Sequence, residues 1–135
     1  MLIRSRRKQT NRRGVATVEL AVCLPVLVLL VFGAIEASSF IFLKQSLNVA
    51  AYEGVREAVR VGSSNGNGQN RAENILNARS VNDFNVAFLN GDVSAIDRGE
   101  DVVIEVSAPT NSNSPLVGQF IPNRTLTARV VMVKE

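Results

Sequence analysis

The chain has 135 residues, 46% of them apolar, and carries 15 lysines and arginines against 12 acids. It has no histidine and no tryptophan, and its single cysteine is Cys23. One small domain fits this length, and a His-based catalytic dyad, an intrachain disulfide and a Cys/His zinc site are excluded. The charge is unevenly spread. Residues 1–14 hold Arg4, Arg6, Arg7, Lys8, Arg12 and Arg13 with no acid, leaving 9 basic against 12 acidic side chains in the rest. The basic character belongs to this leader, while the remainder is mildly acidic.

A long apolar run follows the leader. Sixteen uncharged residues separate Glu19 from Glu36, and the largely apolar stretch covers residues 15–43. As a helix it rises about 43 Å, more than the roughly 30 Å of a hydrocarbon core. This predicts a transmembrane helix over 15–43. Six basic residues precede it and few follow, so the positive-inside bias puts the N-terminus in the cytoplasm and residues 44–135 outside. Pro25 removes one internal hydrogen bond and marks a candidate kink. Glu19 and Glu36 stand about 25 Å apart along a helix, close to the apolar thickness, and Glu36 reads as a marker of the outer interface.

Residues 44–61 continue as an amphipathic helix by spacing. Leu47, Ala51, Val55 and Ala58 fall on one side, with Asn48, Glu53, Arg56, Glu57 and Arg60 on the other. Glu53–Arg56 and Glu57–Arg60 are i,i+3 ion pairs. Ala50, Gly54, Ala58 and Gly62 recur every fourth residue, a narrow strip along which another backbone can approach closely. The protein's own sheet is expected on that strip, with a subunit contact as the alternative. Glycines and short polar residues over 62–70 predict a break, and a short helix is expected at 71–79. The period then changes to two. Phe84, Val86 and Phe88, then Val102, Ile104 and Val106, then Leu126, Ala128, Val130 and Met132 predict strands between 84 and 134, joined partly by a proline-bearing loop over 109–123. The fold class is α+β: a long N-terminal helix running from the membrane into the outer compartment, packed by a small antiparallel sheet of three or four strands.

At the head of the helix, Arg12 and Arg13 lead to Gly14, and Glu19 follows five residues later. This order resembles the processing site of type IV prepilins. With Val18 and Glu19, an apolar run containing Leu24 and Pro25, and Ala51, Glu53, Gly54 and Arg56 farther on, the chain resembles the TadE-like family of tight-adherence (Flp) pilus proteins. Leu20 departs from the family, which often has an aromatic residue there. The resemblance implies a type IV pilin-like fold and the role of a minor pilin or pseudopilin. It also implies cleavage between Gly14 and Val15 by a prepilin peptidase on the cytoplasmic face. Cleavage would discard the basic leader and create a new amine on Val15. In pilins the carboxylate corresponding to Glu19 is thought to meet that amine on a neighbouring subunit, which would set axial register. The implied partners are other pilins, pilus assembly proteins, the peptidase and the lipid bilayer, and the implied location is the bacterial inner membrane, with the outer domain periplasmic or extracellular.

Two other readings stay open: an uncleaved single-pass envelope protein whose outer domain binds a protein partner, and a secreted binding domain freed from a signal peptide after Ser39. Nucleic-acid binding is not expected, because no aromatic residue interleaves with the basic leader to form a stacking platform. No phosphate-cradling glycine loop is present, and Asp97, Glu100 and Asp101 read as a solvated turn. No cofactor, no metal and no enzymatic activity are expected.

Overall fold

The computed structural model describes residues 12–115 and 123–135, with side chains from Gly14 onward. Its first element is α1, Arg12–Ala58, a helix of 47 residues that continues through Pro25. The chain divides into two compact units, Met1–Ala34 and Ile35–Glu135. In the first unit every described side chain is exposed. Residues 14–34 rise about 31 Å, a bilayer's apolar thickness, and hold no charge other than Glu19. This is the one helix among the described residues long and apolar enough to cross a membrane.

The second unit begins with the remainder of α1. That helix ends at Ala58, three residues short of the expected boundary at 61, because Gly62 takes φ +79° and the Ser63 N–H donates to the Arg60 carbonyl. A left-handed turn there is available to glycine at little cost. The second helix, α2, is Asn65–Ala78, so it starts six residues before the expected 71. Ser64 caps it, its hydroxyl accepting from the Asn67 N–H, which satisfies one orphan donor of the first turn. Gly66 and Gly68 are therefore helical rather than part of a loop. At the other end Ser80 takes φ 55° and the Val81 N–H returns to the Leu76 carbonyl, a Schellman closure with buried Val81 behind it.

The sheet has three antiparallel strands in the order β1 (Asn85–Phe88), β2 (Asp101–Pro109) and β3 (Thr125–Val133). A 3-10 turn, Val93–Ala95, lies between β1 and β2. Register follows the period-two pattern. Val86 stands opposite Val106, and Phe88 opposite Ile104; on the other side Val102, Ile104 and Val106 stand opposite Met132, Val130 and Ala128. These residues share the inner face, and Val102, Ile104, Val106 and Ala128 are fully buried. They close one core with Leu43, Leu47, Ala51 and Val55 of α1, with Val59 just past its end, and with Ala72 and Leu76 of α2. The result is a long apolar helix, a second helix and a small antiparallel sheet, an α+β arrangement of the pilin type.

Candidate functional site

The site candidates gather along α1, whose two units expose different chemistry. In the first unit, Gly14 sits in the opening turn of α1, so the Gly14–Val15 bond is helical. The turn is weakly held, because its first N–H groups have no intrahelical acceptor and glycine disfavours helix by about 1 kcal/mol. Glu19 lies exposed on the same surface patch as Gly14, Val15 and Val18, and it has no ion-pair or hydrogen-bond partner among the described residues. Arg4, Arg6, Arg7 and Lys8 lie outside the described residues, as do the side chains of Arg12 and Arg13.

Glu36, which its spacing suggested as a marker of the outer interface, lies one residue into the second unit and is buried there. It is only 7% accessible, and one carboxylate oxygen accepts a hydrogen bond from the Ser114 hydroxyl. The other oxygen is buried without a partner among the described residues. Ser114 is held there by a polar network. Asn113 accepts from the Asn82 N–H at 2.7 Å and donates to the Asn82 and Pro109 carbonyls at 2.9 and 2.8 Å. Asn82 also donates to Ser112, and the Ser112 hydroxyl donates to Asp83. Ser80 and Asp83 both adopt positive φ in this turn, strain that the network offsets.

The small-residue strip is occupied from within. At Gly54 an added Cβ would lie 3.0 Å from Ala72 Cβ, from the Gly68 carbonyl and from Ile104 Cδ1. Ala50 and Ala58 are fully buried beside it. Both α2 and the sheet therefore pack on Gly54. Gly62 does not join the strip: it lies past the end of α1, and a Cβ placed on it would meet nothing within 4 Å. The opposite side of α1 is open. Ile35, Phe42, Val49 and Tyr52 are 43, 51, 38 and 49% exposed. The first three are seven residues apart, and Tyr52 follows three later, the spacing of a helix–helix seam. Both expected ion pairs form, Arg56–Glu53 at 3.7 Å and Arg60–Glu57 at 3.0 Å, and Arg71 of α2 adds a second cation to Glu53 at 3.6 Å.

A family model described as TadE-like protein matches residues 14–56. Over this segment the chain is similar to that family. No curated protein and no solved structure matches it. The TadE-like segment opens at Gly14, contains Glu19 and Glu36, and closes at Arg56, so it coincides with α1 almost from end to end. The sheet and α2 lie beyond it. Among the described residues no three His, Cys, Asp or Glu side chains are grouped to hold a metal ion.

Some site residues are not legible from spacing. The Glu36–Ser114 pair joins residues 78 apart, and Lys44, whose ammonium donates to the Thr127 carbonyl, reaches 83 residues along the chain. Gly68 carries a readable signal. With Ala72, Ile75 and Leu76 it completes an i, i+4, i+7, i+8 helical face once a glycine is allowed as its smallest member.

Proposed function

We propose that this chain is a minor pilin or pseudopilin of a bacterial tight-adherence (Flp) pilus, anchored in the inner membrane by residues 15–43 and assembled through α1. The observation that carries the reading is the TadE-like match beginning at Gly14, in the first turn of a helix whose residues 14–34 are uncharged apart from Glu19. A prepilin peptidase would cut between Gly14 and Val15. Because that bond is helical here, cleavage requires the first turn of α1 to unwind, and Gly14 lowers the cost. The product would carry an amine on Val15 and the carboxylate of Glu19.

An acid inside a bilayer costs about 2.5–3.5 kcal/mol near the midplane, which favours pairing it. The new amine of a neighbouring subunit is the proposed partner of Glu19. Opposite charges about 4 Å apart attract by about 4 kcal/mol at an effective dielectric near 20, before desolvation is subtracted. Farther along, a neighbouring helix would use the stripe of Ile35, Phe42, Val49 and Tyr52, since the chain's own domain covers the opposite side. Other pilins and the assembly machinery are the proposed partners, with the sheet domain on the outer side of the membrane.

One observation favours the uncleaved envelope protein as second reading: α1 starts at Arg12 and runs unbroken through the proposed cleavage site. Release after Ser39 has less support. It would sever α1 and remove Glu36 from its bond with Ser114.

Intact mass and N-terminal sequencing of the protein from host membranes test the proposal. A mature chain starting at Val15 supports it. A chain starting at Met1 leaves the envelope protein, and one starting near Phe40 leaves a secreted domain. For the carboxylate, a Glu19→Ala protein that is processed and still supports pilus assembly would remove its proposed role.

A further inference from the structure

The sequence contains three Asn-Gly steps, Asn65–Gly66, Asn67–Gly68 and Asn90–Gly91. In such a step the glycine nitrogen can attack the asparagine side-chain carbonyl carbon, because glycine has no Cβ to crowd the approach. Closing the resulting cyclic imide turns ψ of the asparagine far from its helical value. A pair inside a helix must therefore unwind before it reacts.

The fold treats the three steps differently. The first two lie in α2. The amide of Asn65 is held at both ends, its oxygen accepting from the Val93 N–H at 2.7 Å and its nitrogen donating to the Gly91 carbonyl at 2.9 Å. In the second step the attacking nitrogen is engaged, since the Gly68 N–H donates to the Ser64 carbonyl at 3.2 Å, and Gly68 is buried. Asn90 and Gly91 are exposed and belong to no helix or strand; they turn the chain from β1 toward the 3-10 turn. The Gly91 N–H donates to no described residue, and Gly91 takes φ +86°. Among the described residues a single bond holds the Asn90 amide, from its nitrogen to the Asp101 carbonyl at 3.1 Å. Asn111–Ser112 is the nearest competitor, because the Asn111 side-chain oxygen accepts from the Ser112 N–H at 2.8 Å. There the side chain of Ser112 crowds the attack that glycine leaves open.

We propose that Asn90 is a site of spontaneous covalent modification, with water as the co-reactant. The Gly91 nitrogen gives its proton to solvent and bonds Asn90 Cγ. The Cγ–Nδ2 bond then breaks, and the amide nitrogen takes a proton from solvent and leaves as ammonia. Water opens the imide at either carbonyl, giving aspartate when it attacks Cγ and isoaspartate when it attacks the main-chain carbon. The net change is one amide and one water converted to one acid and one ammonia. Both products remove the donor that Asn90 offers to the Asp101 carbonyl, and isoaspartate also adds a methylene to the main chain beside β1. The site stands independently of the pilus reading.

The test incubates the full chain, in detergent micelles, in heavy-oxygen water at mildly alkaline pH and maps the label by peptide mass spectrometry. Cleavage after arginine places Asn65 and Asn67 in peptide 61–71 and Asn90 in peptide 80–98. Heavy oxygen is expected at position 90 at least about tenfold faster than at 65 or 67, which corresponds to about 1.4 kcal/mol of local opening in α2. In urea the three steps should take up label at similar rates, since no helix then protects two of them. Asn90→Gln should remove the label at position 90, because its longer side chain must close a larger ring. Equal rates at the three steps in the folded chain, earlier labelling of Asn111, or no label at position 90 while the unfolded chain reacts would overturn the proposal.

Discussion

Gly68 of α2 lies against Gly54 of α1 so closely that a Cβ at position 68 would stand 2.6 Å from the Gly54 carbonyl oxygen. It would also fall 2.7 Å from Ala58 Cβ and 2.9 Å from Phe88 Cζ. The first of these is backbone, which cannot swing aside, so the helices must part. Gly68→Ala is expected to destabilise the domain by about 1–3 kcal/mol, at the upper end of overpacking costs. Gly66 is the control. Its Cβ would meet only the Ser64 hydroxyl at 3.7 Å, and Gly66→Ala should be neutral or stabilise by up to about 1 kcal/mol. Thermal melting followed by circular dichroism separates the two variants.

That contact also marks where local sequence stops being informative. The alternation of Val102, Ile104 and Val106 with polar neighbours makes β2 legible, because a strand's burial repeats every two residues and each member is apolar. The buried side of α1 is legible for the same reason at a helical period. The start of α2 is legible only once a glycine is admitted to its buried face. Glycine carries a strong local preference for loops, and only the crossing with Gly54 explains why the helix needs glycine at 68. Glu36 reads as an interface marker because its apolar flanks give no hint of Ser114, which is brought to it by turns held through Asn82 and Asn113. Gly14 and Glu19 are legible as a motif, and no described residue pairs with Glu19.

Glu36 and Ser114 form a half-satisfied pair, which predicts an asymmetry between variants. Ser114→Ala leaves a buried carboxylate with no hydrogen bond and should cost about 1–3 kcal/mol. Glu36→Met removes the charge, keeps much of the volume and is expected to be neutral or stabilising, as replacement of buried charges by apolar groups often is. In the Glu36→Met background, Ser114→Ala should cost much less than it does alone. Melting temperatures of the four proteins give the coupling directly. Equal costs in both backgrounds would show that the hydroxyl acts elsewhere.

The carboxyl of Asp92 caps the 3-10 turn, accepting from the Ser94 hydroxyl at 2.6 Å and the Ser94 N–H at 2.9 Å. These bonds hold its pKa below the ordinary 3.8, with a smaller contribution from Lys134. A depressed folded-state pKa means that the unfolded chain binds the proton more readily. The cap's contribution is therefore complete above the ordinary carboxylate range and is lost as pH falls through the folded value. Asp92→Ala should melt at a lower temperature than the parent near neutral pH, and the gap should close in acid. A gap that widens on acidification would contradict this assignment.

The open stripe on α1 distinguishes folding from assembly. Gln45, Asn48 and Glu53 share its outer turns, so polar side chains flank Val49 and Tyr52. Val49→Lys should leave the melting temperature nearly unchanged, because substitutions at exposed positions usually stay within about 0.5 kcal/mol. Ala51→Lys, only two residues away, forces a charge into the fully buried side and should prevent stable folding. If a neighbouring helix packs on the stripe, the Val49→Lys protein will accumulate in membranes, folded and processed, yet fail to support pilus assembly. Normal piliation with Val49→Lys and with Tyr52→Lys would remove the stripe from the assembly surface and shift that role to the residues around Glu19.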